Sequence, residues 1–166
     1  IILDYLVEYP FQYNVVILDV DAIIEQEPVL FEEIPTEYDI ALHYLDWEKW
    51  YGHSPGVKEL LTGTMMLRNR PQVKAMCEEW YRKAKKTQQW EQKILEEIIG
   101  NYSLKIFELP IEYIYIDTLP NGSKPRISDE NVVIRHFQAS RTWKRKIPIL
   151  DILKKRDEER TKKSQN

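Results

Sequence analysis

Val15-Val16-Ile17-Leu18-Asp19-Val20-Asp21 sets four consecutive apolar residues, three of them β-branched, directly before two aspartates one position apart. β-Branched side chains favour extended backbone. A short apolar run without alternation suits a strand covered on both faces, as in a parallel sheet flanked by helices. Side chains two apart in an extended segment point to the same side, so Asp19 and Asp21 can converge on one hard cation. Mg²⁺ and Mn²⁺ favour carboxylate and water oxygens and commonly hold phosphates in their remaining positions. Without a cation or a donor between them the two charges repel. The competing reading is a helix N-cap plus a solvated acid after a strand. On Asp-x-Asp alone the two readings stand level, and the apolar strand in front turns the balance to the cation.

Outward from this stretch, strand and helix patterns alternate. Ile1 to Glu8 reads as the end of an amphipathic helix, broken by Pro10. Ile23 to Ile34 is mixed, interrupted by Pro28 and closed by Pro35. Tyr38 to Tyr44 and Thr64 to Leu67 read as strands, with a Trp- and Tyr-rich loop or short irregular helix between them. Asn69-Arg70-Pro71 opens a helix to about Lys86, with proline tolerated in its first turn. A second helix covers Gln88 to Ile99 and stops at Gly100-Asn101. Leu104 to Phe107, Tyr113 to Ile116 and Val132 to Phe137 complete the strands, and Pro120-Asn121-Gly122-Ser123 is a turn. Such alternation predicts an α/β domain with a mixed, mainly parallel sheet flanked by helices. Ligands then lie beyond the carboxyl ends of the strands.

The chain's 166 residues fit one domain,, predicted over 1–150 with a charged tail at 151–166. A hydrophobic fraction of 43% and a charged fraction of 31% are those of an ordinary globular chain,. A net charge of −3 gives no bulk electrostatic reason to expect a nucleic acid partner,. A single cysteine, Cys77, excludes an internal disulfide and leans towards a reducing, cytoplasmic compartment,. No apolar run reaches membrane-spanning length. The chain begins Ile1-Ile2-Leu3 without an initiator methionine, which points to processing or to a piece of a longer protein.

Several residues carry two readings each. His136, ending an apolar strand, is a hydrogen-bonded core histidine or a ligand. Glu91 is a favourable acid at a helix start. Thr62-Gly63-Thr64 is a plain turn or a place where a sugar approaches backbone unobstructed. Asp46, Trp47, Trp50, Tyr51 and His53 lie in one loop, pinned to the core by its tryptophans or offering aromatic faces with nearby polar groups to a sugar acceptor. Arg141, Lys144, Arg145 and Lys146 form a solvated basic face or neutralise a diphosphate.

Five stretches in order resemble the GT-A nucleotide-sugar transferases: the strand ending in Asp19-Val20-Asp21; Tyr38-Asp39-Ile40-Ala41; Leu61-Thr62-Gly63-Thr64-Met65-Met66-Leu67-Arg68-Asn69; Trp90-Glu91-Gln92-Lys93-Ile94-Leu95; and Val133-Ile134-Arg135-His136-Phe137. Glu91 stands where that family usually has Asp. Gln138 to Lys144 replaces its usual glycine and Lys-Pro-Trp group. The resemblance implies a GT-A-like fold, N-terminally truncated, because the family's β-α-β stretch for base and ribose would precede Ile1. It implies a metal-dependent glycosyltransferase moving a sugar from a nucleotide diphosphate sugar to an acceptor hydroxyl. Mn²⁺ or Mg²⁺ would be held by Asp19, Asp21 and His136, with Arg141 or Lys144 on the diphosphate. Glu91 would contact the sugar or take the acceptor's proton. Thr62, Gly63 and Gln92 would line the sugar, with Trp47 and Trp50 beside sugar or acceptor. A missing front half further implies weak, unselective nucleotide binding and self-association through an exposed sheet edge.

Two other readings remain. A degenerate transferase-like module would bind without catalysing. A haloacid-dehalogenase-like phosphohydrolase shares the strand and D-x-D opening, with Asp19 as nucleophile. That family expects Thr or Val where this chain has Ile23, and a later acidic pair that is not evident.

Overall fold

The computed structural model describes residues 13–87, 89–119 and 122–137. The expected helix at Ile1 to Glu8, the tail, Arg141 and Lys144 lie outside the described residues.

Among the described residues, seven strands form two sheets. β1 (Val15–Leu18), β3 (Ile40–Asp46), β4 (Lys58–Leu67) and β5 (Ile106–Glu108) make a four-stranded sheet in the order β1-β4-β3-β5. β2 (Ala22–Ile24), β6 (Tyr115–Ile116) and β7 (Ile134–His136) make a three-stranded one in the order β2-β7-β6. The α/β class and the mixed sheet hold. The predominance of parallel pairing does not: β1–β4, β3–β4 and β2–β7 are antiparallel, and β3–β5 and β6–β7 are parallel. An unbroken apolar run reports burial rather than strand direction, and burial on both faces is met here in the centre of the larger sheet. Ile40 to His43 of β3 and Thr64 to Leu67 of β4 are all buried. β1, with β4 as its one neighbour among the described residues, buries Ile17 but leaves Val16 43% exposed.

One face of the larger sheet packs on two helices. α3 (Pro71–Lys86) turns Val73, Met76, Cys77 and Trp80 inward, the i, i+3, i+4, i+7 spacing of one helical face,. α4 (Glu91–Ile98) adds Ile94, Leu95 and Ile98 and continues as a 3-10 turn through Asn101. These meet Ile17, Ile40, Leu42, Leu60, Met65 and Leu67 in the main core. Alternate residues Ala41, Leu45, Leu61 and Met66 face the other way, towards Leu109, Tyr113, Ile114, Ile116 and Ile134. Two short helices, α1 (Leu30–Glu33) and α2 (Trp47–Tyr51), lie outside the main helix layer. α2 is started by the Asp46 carboxylate, which accepts from the backbone of Glu48 and Lys49, and closed by Gly52 at φ 75°.

Asp39 joins three elements. Its buried carboxylate accepts from Arg70 Nη1 at 2.6 Å, from Gln72 Nε2 at 3.1 Å and from the Lys105 backbone N–H at 2.7 Å. The start of α3 and the approach to β5 are thereby fastened to the mouth of β3.

Candidate active site

The chain leaves one sheet and joins the other within the quoted stretch. Leu18 ends β1 opposite Thr64, and Ala22 begins β2 opposite His136. Asp19, Val20 and Asp21 make the crossing, tightened by the Ala22 N–H bonded to the Asp19 carbonyl at 3.0 Å. Val20 points fully into solvent, while oxygens of Asp19 and Asp21 and a ring nitrogen of His136 lie within 4.8 Å of one another.

An irregularity in β4 supplies the floor. Between Ala41 and His43 of β3, two steps are matched by five along β4, from Met66 to Leu61. Bulges of this kind re-aim a strand beside a site. Thr62, Gly63 and Thr64 are pushed towards the crossing, and the Asp19 N–H bonds the Gly63 carbonyl at 2.8 Å. Gly63 is required by proximity: a Cβ there would stand 3.0 Å from His136 Cε1, 3.1 Å from Asp19 Oδ2 and 3.2 Å from His136 Nδ1. Fully buried Thr64 places its hydroxyl 2.8 Å from His136 Nε2.

Asp19, Asp21, Thr62, Gly63 and His136 line a cleft of about 340 Å³, together with Tyr51, Glu59, Glu91 and Gln92. Asp19, Asp21, Glu59 and Glu91 all face it, and no lysine or arginine is among its described lining. The Asp19 carboxyl is pushed above the usual carboxylate range, first by loss of surrounding water and then by the charges of Asp21 and Glu91. Burial lowers the affinity of His136 for a proton, against the pull of Asp21.

The structure thus brings Asp19, Asp21, His136, Thr62, Gly63, Glu91 and Gln92 to one cleft. The two tryptophans are placed elsewhere. Trp50 is fully buried against Tyr115, so its ring offers no face to a sugar. Trp47 meets the Tyr51 ring at a tilt and His53 edge-on and donates to Glu59 Oε2 at 3.1 Å, outside the cleft lining. Of the aromatic residues of that loop, the helical turn of α2 puts Tyr51, not Trp47 or Trp50, in the cleft wall.

Glu59 is the lining carboxylate that sequence reasoning missed, and Thr64, read there only as part of the Thr62-Gly63-Thr64 turn, proves to bond His136. Glu59 accepts from buried Gln92 Nε2 at 2.7 Å as well as from Trp47. The signal was the length of β4. Reading the strand from Thr64 left Glu59 outside it, whereas a strand from Lys58 puts Glu59 and Leu61 on one face.

The fold is shared with solved structures of glycosyltransferases. The bifunctional glycosyltransferase WbbM, in an apo structure, aligns over 81% of this chain and 30% of its own, with a TM-score of 0.55 and 11% identity. The galactosyltransferase LgtC, in complex with donor and acceptor sugar analogs, aligns over 81% of this chain and 56% of its own, at 0.51 and 16%. Mouse xyloside xylosyltransferase 1, also apo, aligns over 84% and 63%, at 0.52 and 13%. The chain therefore spans less than two thirds of each of these proteins. No curated protein sequence matches it significantly. The nucleotide-diphospho-sugar transferase family model matches residues 9–150, and the chain belongs to that family. This membership displaces the phosphohydrolase reading. Among the described residues no helix is long and apolar enough to cross a membrane.

Proposed function

We propose that the cleft binds a divalent cation and the diphosphate of a nucleotide sugar, and that the chain serves in transfer of that sugar to an acceptor hydroxyl. One observation carries the reading. Two carboxylates and an imidazole converge within 4.8 Å in a cleft walled by four carboxylates and no described basic side chain. Such a wall repels a diphosphate unless a cation intervenes.

The donor set fits Mn²⁺ or Mg²⁺. Carboxylate oxygens are the donors these hard cations take, and oxygens of Asp19 and Asp21 and a ring nitrogen of His136 already lie within 4.8 Å of one another. An imidazole among the ligands favours Mn²⁺. When bound, the cation supplies Lewis-acid stabilisation of the departing diphosphate. The chain's residues do the rest. Gly63 leaves room between Asp19 and His136. Glu59 fixes the Gln92 amide. Glu91, exposed at the start of α4, contacts the sugar or accepts a proton from the acceptor hydroxyl. Arg141 and Lys144 are proposed for the far side of the diphosphate. The partners are a nucleotide diphosphate sugar and a hydroxylated acceptor. A second copy of the chain, paired along β1, is a third proposed partner.

The test is thermal unfolding with Mn²⁺ and uridine diphosphate. A ligand at about 100 times its Kd stabilises by about 2.7 kcal/mol, a shift of several degrees for a domain of this size. Asp19→Asn with Asp21→Asn is expected to abolish the Mn²⁺-dependent part. A full shift retained by the double variant places the cation elsewhere and ends this reading.

A further inference from the structure

Thr64 buries a hydroxyl where a valine would fill the same space. Burying a hydroxyl is costly unless it is bonded. Its side-chain partner is His136 Nε2, at 2.8 Å. The other ring nitrogen, Nδ1, lies on the Gly63 side, where the space a Cβ would occupy is 3.2 Å from Nδ1 and 3.1 Å from Asp19 Oδ2. A neutral imidazole carries one proton, and the nitrogen without it offers a lone pair. Which nitrogen can ligate is set by the bond the other makes.

We propose that Thr64 is the positioning residue of the cleft: its hydroxyl accepts from His136 Nε2–H and so turns the Nδ1 lone pair to the space shared with Asp19 and Asp21. This rests on the reading of that group as a cation site. The opposite arrangement has Thr64 donating to Nε2 with the proton on Nδ1. It would place an N–H where the cation binds and make His136 a hydrogen-bond donor to the aspartates instead of a ligand.

The protein holds its own reference. His43 Nδ1 lies 2.8 Å from the Leu109 carbonyl, which can only accept. Neutral His43 is therefore the Nδ1–H tautomer, and His136 is assigned the opposite one. With three histidines in the chain, ¹⁵N NMR of histidine-labelled protein separates them.

With Mg²⁺ and uridine diphosphate bound, His136 is expected to show the Nε2–H pattern and His43 the Nδ1–H pattern. His136 as Nδ1–H under those conditions overturns the proposal, and this reading needs no variant. Thr64→Val is expected to weaken Mn²⁺ binding, followed by electron paramagnetic resonance, about 10- to 100-fold, and to lower cation-free stability modestly, because buried His136 Nε2–H loses its acceptor,. Thr64→Ser is expected to restore most of the affinity. Wild-type affinity in Thr64→Val also overturns the proposal. The two failures are distinguishable: if Asp19→Asn with Asp21→Asn abolishes Mn²⁺ binding while Thr64→Val does not affect it, the cation site stands and Thr64 has no part in it.

Discussion

His43 shows what a buried imidazole costs a fold when it has no ligand role. It sits in the middle of β3, 7% exposed, bonded through Nδ1 to Leu109, with Nε2 buried and without a hydrogen-bond partner among the described residues. Burial lowers its pKa, and the bond to Leu109 only partly opposes this. The folded chain therefore keeps His43 neutral at a pH where the unfolded chain, titrating near about 6.5, takes up a proton. The unfolded state binds more protons in that window, so stability falls as pH drops through it. Urea unfolding at about pH 7.5 and about pH 5.5 is expected to show this loss, reduced in His43→Asn, which keeps a donor for Leu109. An unchanged pH slope in that variant would remove His43 as the cause. Asp19, with its carboxyl raised, acts in the opposite direction,. Sequence could not separate the two strand histidines. Both close or interrupt apolar runs, and what tells them apart is a threonine 72 positions from His136 and a carbonyl 66 positions from His43.

At the scale of elements, α3 was legible almost to the residue, because Pro71 marks its first turn and four buried side chains repeat at helical spacing. β2 was not, since its three residues carry no period and exist through pairing with β7, more than a hundred positions on. β4 was read from its last four residues, and its bulge left no mark beyond the small residues Thr62-Gly63-Thr64. Asp39 tests how these elements are joined. Asp39→Ala removes the acceptor for Arg70, Gln72 and the Lys105 N–H at once. Breaking a buried pair typically costs about 3–5 kcal/mol. Arg70 keeps a third of its side chain in water, so a loss of about 2–3 kcal/mol is expected. Denaturant unfolding checks this, and a loss within the range of ordinary surface substitutions would show that β3, β5 and α3 hold together without the carboxylate.

For the whole molecule, alternation of strand and helix was sufficient to reach the α/β class, but not the strand order. Pairings such as β3 with β5 are set by packing across some sixty residues and leave no local pattern. The edge expected at the Asp-x-Asp strand corresponds to a described feature: β1 ends the four-stranded sheet among the described residues, with Val16 outward. A flat apolar strand edge invites pairing with another chain. Sedimentation is expected to show a concentration-dependent dimer that Val16→Lys returns to monomer. A wild-type chain that stays monomeric at high micromolar concentration would exclude this edge as an interface.

The crossing at Asp19 to Asp21 has one more consequence. The backbone passes from one sheet to the other at the spot where His136 and Gly63 converge, so a ligand held by Asp19, Asp21 and His136 grips both sheets and the seam between them. Filling the cleft then acts as a rivet. It adds a tie between two layers already joined by the Thr64–His136 hydrogen bond and by side-chain packing, so stability of the whole fold becomes a readout of what the cleft contains.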